Sequence, residues 1–129
     1  MAPFLWVCLG GALGSGARYL VGAWTAATLP PSFPFGTLLV HVIGSFLMAL
    51  VMKVALATGE VPHHLRLFLT TGILGGFTTY SAFNWETLHL LEEGRLGVAA
   101  LDVGVTLAGC LLAGFLGLKL GGVVAGAWG

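Results

Sequence analysis

The chain has 129 residues and a formal net charge of zero; 57% of the residues are hydrophobic and 8% are charged. About a quarter of the residues in a soluble domain are charged, so this composition excludes an ordinary soluble domain and indicates a membrane protein. The five basic residues are scattered and form no basic patch, which excludes a nucleic-acid-binding protein. A membrane-spanning helix needs roughly 20 apolar residues, so residues 1–129 are predicted to form a single all-α domain with room for about four transmembrane helices.

The first predicted span runs from about Pro3 to Ala27. It lacks the positively charged start of a signal peptide, so we interpret it as a membrane helix. Gly10, Gly14 and Gly22 are small residues that permit close helix approach. Arg18 is a candidate functional residue because a charge inside a span costs roughly 3 kcal/mol or more unless it faces a cavity, a partner or the interface. The alternative is that its side chain extends to the lipid headgroups.

The second predicted span follows a proline-rich turn and extends from near Phe35 to near Thr58. Within it, Thr37, His41 and Ser45 recur at every fourth residue and therefore share one helix face. A polar stripe on an otherwise apolar helix indicates a lined path through the protein. The alternative for His41 is a hydrogen-bonded residue that serves packing only.

The third predicted span contains the stretch LTTGILGGFTTYSAFNWE, Leu69 to Glu86, and continues to about Glu93. Glycines and hydroxyl side chains interrupt this apolar segment near its middle. Lipid offers no hydrogen-bond partner to an opened backbone, so the interruption is tolerated only inside protein or along a wet or ion-bearing cavity. We therefore predict a third helix that is broken near its middle and adjoins the functional site. Tyr80 and Phe83, three positions apart, are predicted to share one helix face.

The fourth predicted span extends from about Leu96 to Val124, with Asp102 near its start. Thr106 and Cys110 are one helical turn apart and are expected to face inward. Small residues spaced for tight helix contacts follow in two pairs, Gly117 with Gly121 and Gly122 with Gly126.

The distribution of charges predicts little preference for one orientation in the membrane. With four spans, one side carries Lys53, Arg66 and Lys119, and the other carries Arg95, together with Arg18 if it reaches the surface. A clear excess of basic residues normally marks the cytoplasmic side, and here the excess is small. We therefore expect that the chain can insert both ways and form an antiparallel dimer.

The side-chain inventory favours ion passage over catalysis. The sequence has no P-loop, dinucleotide fingerprint, HExxH motif or GxSxG elbow, so we predict that the chain is not an enzyme. A small anion needs donors that replace its hydration, and Thr, Ser, His and Tyr supply them, with almost no carboxylates expected at mid-membrane depth. The broken helix leaves free carbonyl oxygens that suit a small cation, so an anion path and a structural cation can coexist.

Three motifs resemble those of the Fluc (CrcB) family of fluoride channels. They are GGALGSGARY at Gly10 to Tyr19, FGTLLVHVIGSF at Phe35 to Phe46, and GGFTTYSAFNWE at Gly75 to Glu86. Their order matches the family, and the resemblance covers nearly the whole chain. It implies a dual-topology, antiparallel dimer of four-helix subunits. It also implies two pores that export fluoride passively across the bacterial inner membrane.

The same resemblance implies roles for individual residues. The backbone carbonyls of Gly75 and Thr78 correspond to those that hold a structural sodium ion shared by the two subunits at the dimer centre. Arg18 corresponds to the vestibule arginine that attracts anions. The positions that match the pore lining are His41, Tyr80, Ser81, Phe83, Thr106 and Cys110.

Four positions depart from the family pattern. The family has Asn in place of His41, Phe in place of Tyr80, Thr in place of Ala82, and commonly Ser in place of Cys110. The departures leave open a homodimeric channel in which His41 replaces Asn as a donor, or a member with an altered or degenerate pore that needs a different partner subunit. A small proton-coupled multidrug-type exporter is a further alternative, although such exporters use a Glu in the first span, and none is present here.

Overall fold

The computed structural model describes residues 1–128, which form helices and contain no strand. Three of the helices are long and apolar enough to cross a membrane, namely α1, α2 and α6. The helices are, in chain order, α1 (Ala2–Thr28), α2 (Phe35–Thr58), α3 (His63–Leu67), a π-helix (Phe68–Leu74), α4 (Gly75–Phe77), α5 (Tyr80–Glu92) and α6 (Leu96–Trp128).

The ends of the long helices follow from local backbone chemistry. Pro3 lies in the first turn of α1. Backbone N–H groups in the first turn have no acceptor within the helix, so the lack of an N–H in proline costs no hydrogen bond there. Leu29 is extended, as expected for a residue that precedes a proline, and it ends α1. Gly59 ends α2 in the left-handed conformation, with φ of 68°, and Gly94 has φ of 75° before α6. The predicted boundaries of these three spans are therefore confirmed to within a few residues.

Residues 63–92, called the third segment below, are not one continuous α-helix. The hydrogen bonds widen to a π-helix over Phe68–Leu74, a local distortion that is frequent at functional sites. Thr78 and Thr79 are then both extended, with ψ values of 151° and 108°, and these two residues are called the break below. The structure confirms the predicted interruption and places it at the two threonines after the glycine pair.

α1 lies against the π-helix and α4 at a distance that only glycine permits. A Cβ at Gly10 would lie 2.5 Å from the carbonyl oxygen of Phe68, and a Cβ at Gly76 would lie 2.6 Å from the carbonyl oxygen of Gly11. Gly14 meets the third segment in the same way. The predicted close approach at Gly10 and Gly14 is therefore confirmed, and it fixes the third segment against α1.

α2 packs against α6 more extensively than any other two helices pack together. A Cβ at Gly121 would lie 2.8 Å from the Cβ of Lys53, and a Cβ at Gly117 would overlap the carbonyl oxygen of Phe46. A Cβ at Gly126 would meet open space. The predicted small-residue contact is therefore made by Gly117 and Gly121 and not by Gly126.

Large hydrophobic side chains cover the outside of the subunit. Leu13 and Leu20 on α1, and Leu111, Leu112 and Phe115 on α6, are each more than half exposed. An apolar surface of this extent is stable only against lipid or another protein chain. With three apolar helices of spanning length, it indicates a multi-pass membrane protein. The longest helix of the third segment, α5, has only 13 residues, so the structure does not confirm the count of four spans.

Candidate ion site at the break in the third segment

The break removes helical donors from a set of carbonyl oxygens. In a continuous helix the N–H of Thr79 would be donated to the carbonyl oxygen of Gly75. Here the Thr79 N–H is donated to Nε2 of His41 instead, at 3.1 Å. Extended backbone at Thr78 likewise removes its own carbonyl from the helical ladder. Gly75 is exposed on the subunit surface, so the predicted sodium ligands lie where atoms from outside the subunit could reach them.

Arg18 is bonded to the third segment. Its side chain is half-buried, and Nε donates a hydrogen bond of 3.1 Å to the carbonyl oxygen of Gly76. In a continuous helix that oxygen would accept a hydrogen bond from the N–H of Tyr80, which lies on the far side of the break. The alternative that Arg18 extends toward lipid headgroups is therefore wrong for this structure, because the guanidinium turns inward to the break.

The two ring nitrogens of His41 differ in their hydrogen bonds: Nε2 accepts one from the backbone, and Nδ1 lacks one of good geometry. A backbone N–H can only donate, so Nε2, which receives the Thr79 N–H, carries no hydrogen in the neutral ring. The ring hydrogen is therefore on Nδ1, which is buried, faces the Thr37 backbone and has no hydrogen bond of good geometry among the described residues. His41 thus serves more than packing, since it holds the break with one nitrogen and presents a weakly bonded N–H with the other.

Two aromatic rings continue from His41 along α5. The centroid of Phe83 lies 6.1 Å from that of His41, with the rings nearly perpendicular, and 5.8 Å from that of Tyr80. The contact between the two α5 rings confirms their predicted common face. Phe83 is half-buried, whereas Tyr80 is 75% exposed. Ring edges carry partial positive charge, so aromatic rings near a histidine N–H are compatible with a bound anion.

Ser81 and Thr79 form a small hydroxyl pair beside these rings. Their oxygen atoms are 3.0 Å apart, and Ser81 is exposed. Ser45 lies with His41, Gly44 and Thr78 in a groove of about 420 Å³ on the α2 side of the break. His41 and Ser45 therefore share this groove, as their spacing on α2 predicts.

Two carboxyl groups, those of Glu86 and Asp102, are packed among the helices. Thr37 donates its hydroxyl to Oε1 of Glu86 at 2.7 Å, and Oε2 of Glu86 is buried without a partner among the described residues. Asp102 is 1% exposed and accepts the hydroxyl of Thr106 at 3.3 Å. The sequence signal was available, since Asp102 and Thr106 are four residues apart and share a face of an apolar helix.

The carboxyl groups change what the neighbouring hydroxyls can do. A threonine hydroxyl has one hydrogen, and those of Thr37 and Thr106 are given to carboxyl oxygens. Neither hydroxyl can donate to an anion until it leaves that bond. Cys110, one turn after Thr106, is half-buried with a free thiol. The pore-lining role of Thr106 and Cys110 stays a prediction.

A larger groove of about 800 Å³ opens beside the break. It lies between α1, the proline-rich turn, α2 and α5, and its polar walls include Arg18, Thr37, Thr79 and Glu86. One cationic and one acidic side chain therefore face the same space. The groove reaches the break at Thr79.

Comparison with known proteins identifies close relatives over nearly the full length. Residues 5–118 match the model of the family described as CrcB-like protein, Camphor Resistance (CrcB). A protein of Anaeromyxobacter sp. (strain K) named fluoride-specific ion channel FluC is 59% identical over 115 residues, which cover 89% of this chain and 91% of that protein. Proteins of the same name from Thermus thermophilus and Sorangium cellulosum are 47% and 45% identical, over 95% and 92% of this chain and 96% and 93% of their own lengths.

Proposed function

This chain belongs to the CrcB family, and we propose that it is a fluoride-selective channel through which fluoride leaves the cell passively. The relatives named fluoride-specific ion channels cover nearly the whole chain, which supports fluoride as the transported ion. The observation that carries the proposal is the buried, weakly bonded N–H of His41, whose ring lies against the ring of Phe83.

The physical reason is the free-energy cost of burying the His41 N–H without a good hydrogen bond. Leaving a buried polar group without a partner costs about 1–3 kcal/mol, and a bound anion recovers that cost. Fluoride is small and strongly hydrated, so it enters an apolar passage only where N–H groups and ring edges replace water. His41 and Phe83 supply both kinds of contact at one place, with Tyr80 and Ser81 on the exposed side of the same helix.

We further propose that two copies assemble in opposite orientations around a structural sodium ion. The carbonyls of Gly75 and Thr78 have lost their helical donors, and Gly75 is exposed at the subunit surface. Unwound carbonyl oxygens suit a small cation, and a second copy would bring an equivalent set. Bound sodium would supply positive charge that neutralises these carbonyl dipoles and holds the two breaks together.

In this assembly the third segment completes a fourth membrane crossing in each subunit. Two antiparallel pores then run through the dimer, in the inner membrane of the cell. Arg18 would draw anions into the larger groove, because its charge lies half-buried beside the break. The exposed leucines of α1 and α6 would face lipid or the partner copy.

Ion efflux from liposomes that contain only this protein tests the proposal. Fluoride should leave much faster than chloride, and Phe83→Ile should stop fluoride efflux because the aromatic ring next to His41 is lost. Phe115→Ile is a matched control, since Phe115 is 56% exposed on α6, and it should leave efflux unchanged. Equal efflux of both halides, or equal effects of both variants, would contradict the proposal.

One observation favours a second form of the same function. The hydroxyl hydrogens of Thr37 and Thr106 are committed to carboxyl groups, which supports a pore of altered composition that needs a different partner subunit. A folded dimer of this chain alone would then carry no fluoride. Efflux that appears only after reconstitution with a related subunit would favour this heterodimer.

A further inference from the structure

Asp102 is an acidic side chain that is almost fully buried between α5 and α6. It lies on α6 with 1% of its surface exposed, and with Val40 it is one of the two largest fully buried side chains. The two salt bridges among the described residues both involve Glu93, so Asp102 has no cationic partner there. Burying an ionised carboxylate without a nearby cation carries a large desolvation free energy.

The hydrogen bonds of the neighbouring threonines favour a protonated carboxyl group at Asp102. The one hydroxyl hydrogen of Thr87 is donated to the carbonyl oxygen of Phe83, at 2.9 Å. Thr87 Oγ1 also lies 3.4 Å from Oδ2 of Asp102. Thr87 has one hydrogen for these two acceptors; when the hydrogen goes to Phe83, which is the shorter contact, a hydrogen on Oδ2 of Asp102 would complete the contact with Thr87. Thr106 donates to the other oxygen, Oδ1, so the neutral acid has a partner at both oxygens.

We propose that Asp102 is held as a neutral carboxylic acid and acts as a positioning residue for the pore ring Phe83. Its Oδ2–H is donated to Thr87, which in turn donates its hydroxyl hydrogen to the backbone carbonyl of Phe83. This chain of hydrogen bonds ties α6 to the residue whose ring borders His41. The positioning role rests on the proposed function, since it matters only if fluoride passes Phe83.

The other titratable groups that face Asp102 are consistent with a neutral acid. Two titratable groups lie near Asp102, Glu86 on α5 and His41 on α2. A protonated His41 would favour a charged Asp102, whereas a neutral His41 would not. Glu86 would repel a second carboxylate. The ring of His41 has its hydrogen on Nδ1 and no net charge in the bonding pattern described above.

Infrared spectroscopy tests the proton without any transport measurement. In membranes at neutral pH, the wild type should show the carbonyl stretch of a protonated carboxylic acid. Asp102→Asn should remove that band, whereas Glu92→Gln, which alters an exposed acid, should leave it. Glu86→Gln should leave the Asp102 band as well. A wild-type spectrum that Asp102→Asn does not change would overturn the assignment of the proton.

Fluoride efflux tests the positioning role. Asp102→Asn keeps a donor and an acceptor, so efflux should stay within about twofold of wild type. Thr87→Val breaks the link and should lower efflux about tenfold, the loss expected when one buried hydrogen bond is removed, and Thr87→Ser should restore it. Efflux by the wild type should fall at alkaline pH as the acid ionises, whereas Asp102→Asn should not respond. Failure of the serine rescue, or equal alkaline responses, would refute the positioning role.

The two proposals fail in different ways. Absence of fluoride efflux from the folded wild type would remove the channel function, and the positioning role with it, while the infrared result still decides the proton. Fluoride efflux together with no protonated-acid band would leave the channel function intact and overturn the neutral acid.

Discussion

Gly76→Ala should damage both the stability and the transport of this protein, because α1 leaves no room for a methyl group. The new Cβ would lie 2.6 Å from the carbonyl oxygen of Gly11 and 3.1 Å from the backbone nitrogen of Ser15. Ordinary van der Waals contact of a Cβ begins at 3.4 Å. α1 and α4 must therefore move apart by about 0.8 Å to accommodate the methyl group. Such overpacking costs about 1–3 kcal/mol, and alanine recovers at most about 1 kcal/mol through its higher helix propensity.

With the full helix-propensity gain, the net expectation is a loss of up to about 2 kcal/mol in the free energy of unfolding relative to the wild type, measured in detergent by tryptophan fluorescence. Fluoride efflux should fall as well, because the hydrogen bond between Arg18 and the Gly76 carbonyl is stretched when the helices separate. Gly104→Ala is the matched control, since a Cβ at that position has no neighbour within 4 Å. Equal unfolding free energies for the two variants would refute the packing argument.

Three further predictions concern the break. Fluoride efflux should fall between about pH 7 and pH 5 in the wild type, because a protonated His41 can no longer accept the Thr79 N–H, and His41→Gln should abolish this acidic response. Arg18→Lys should lower efflux about tenfold, because an ammonium keeps the charge but lacks the Nε donor that bonds Gly76; wild-type efflux from the lysine variant would show that charge alone matters. Replacing sodium by a bulky organic cation should lower the thermal stability of the dimer, and an unchanged melting temperature would exclude a structural sodium ion.

Several features of the site could be predicted from residue spacing. The interval between His41 and Ser45 predicts the groove that they share, although Thr37, one turn earlier, lines the larger groove, and the glycine and threonine pairs mark the break. These predictions succeed because they depend on helix periodicity and on the need for backbone hydrogen bonds in lipid, both of which are local. The rings of Tyr80 and Phe83 are in contact for the same reason.

Other features depend on which helices become neighbours. The sequence predicts only that Asp102 lies near the start of its span, yet Asp102 is buried against Thr87 of α5. Glu86 ends a motif in the sequence, yet in the structure its carboxyl group accepts a hydrogen bond from the hydroxyl of Thr37. Both contacts join residues far apart in the sequence, and periodicity within one helix does not reveal them.

The sequence alone determined that this is an all-α membrane protein whose third segment is interrupted, since composition, apolar length and glycine placement act within each segment. Only the tertiary structure decided where the polar hydrogens go: the Thr79 N–H to His41, the Arg18 Nε–H to Gly76, and the Thr37 and Thr106 hydroxyls to carboxyl groups. The reason is that each donor has several acceptors within reach of its residue type, and the packing of the helices selects one of them.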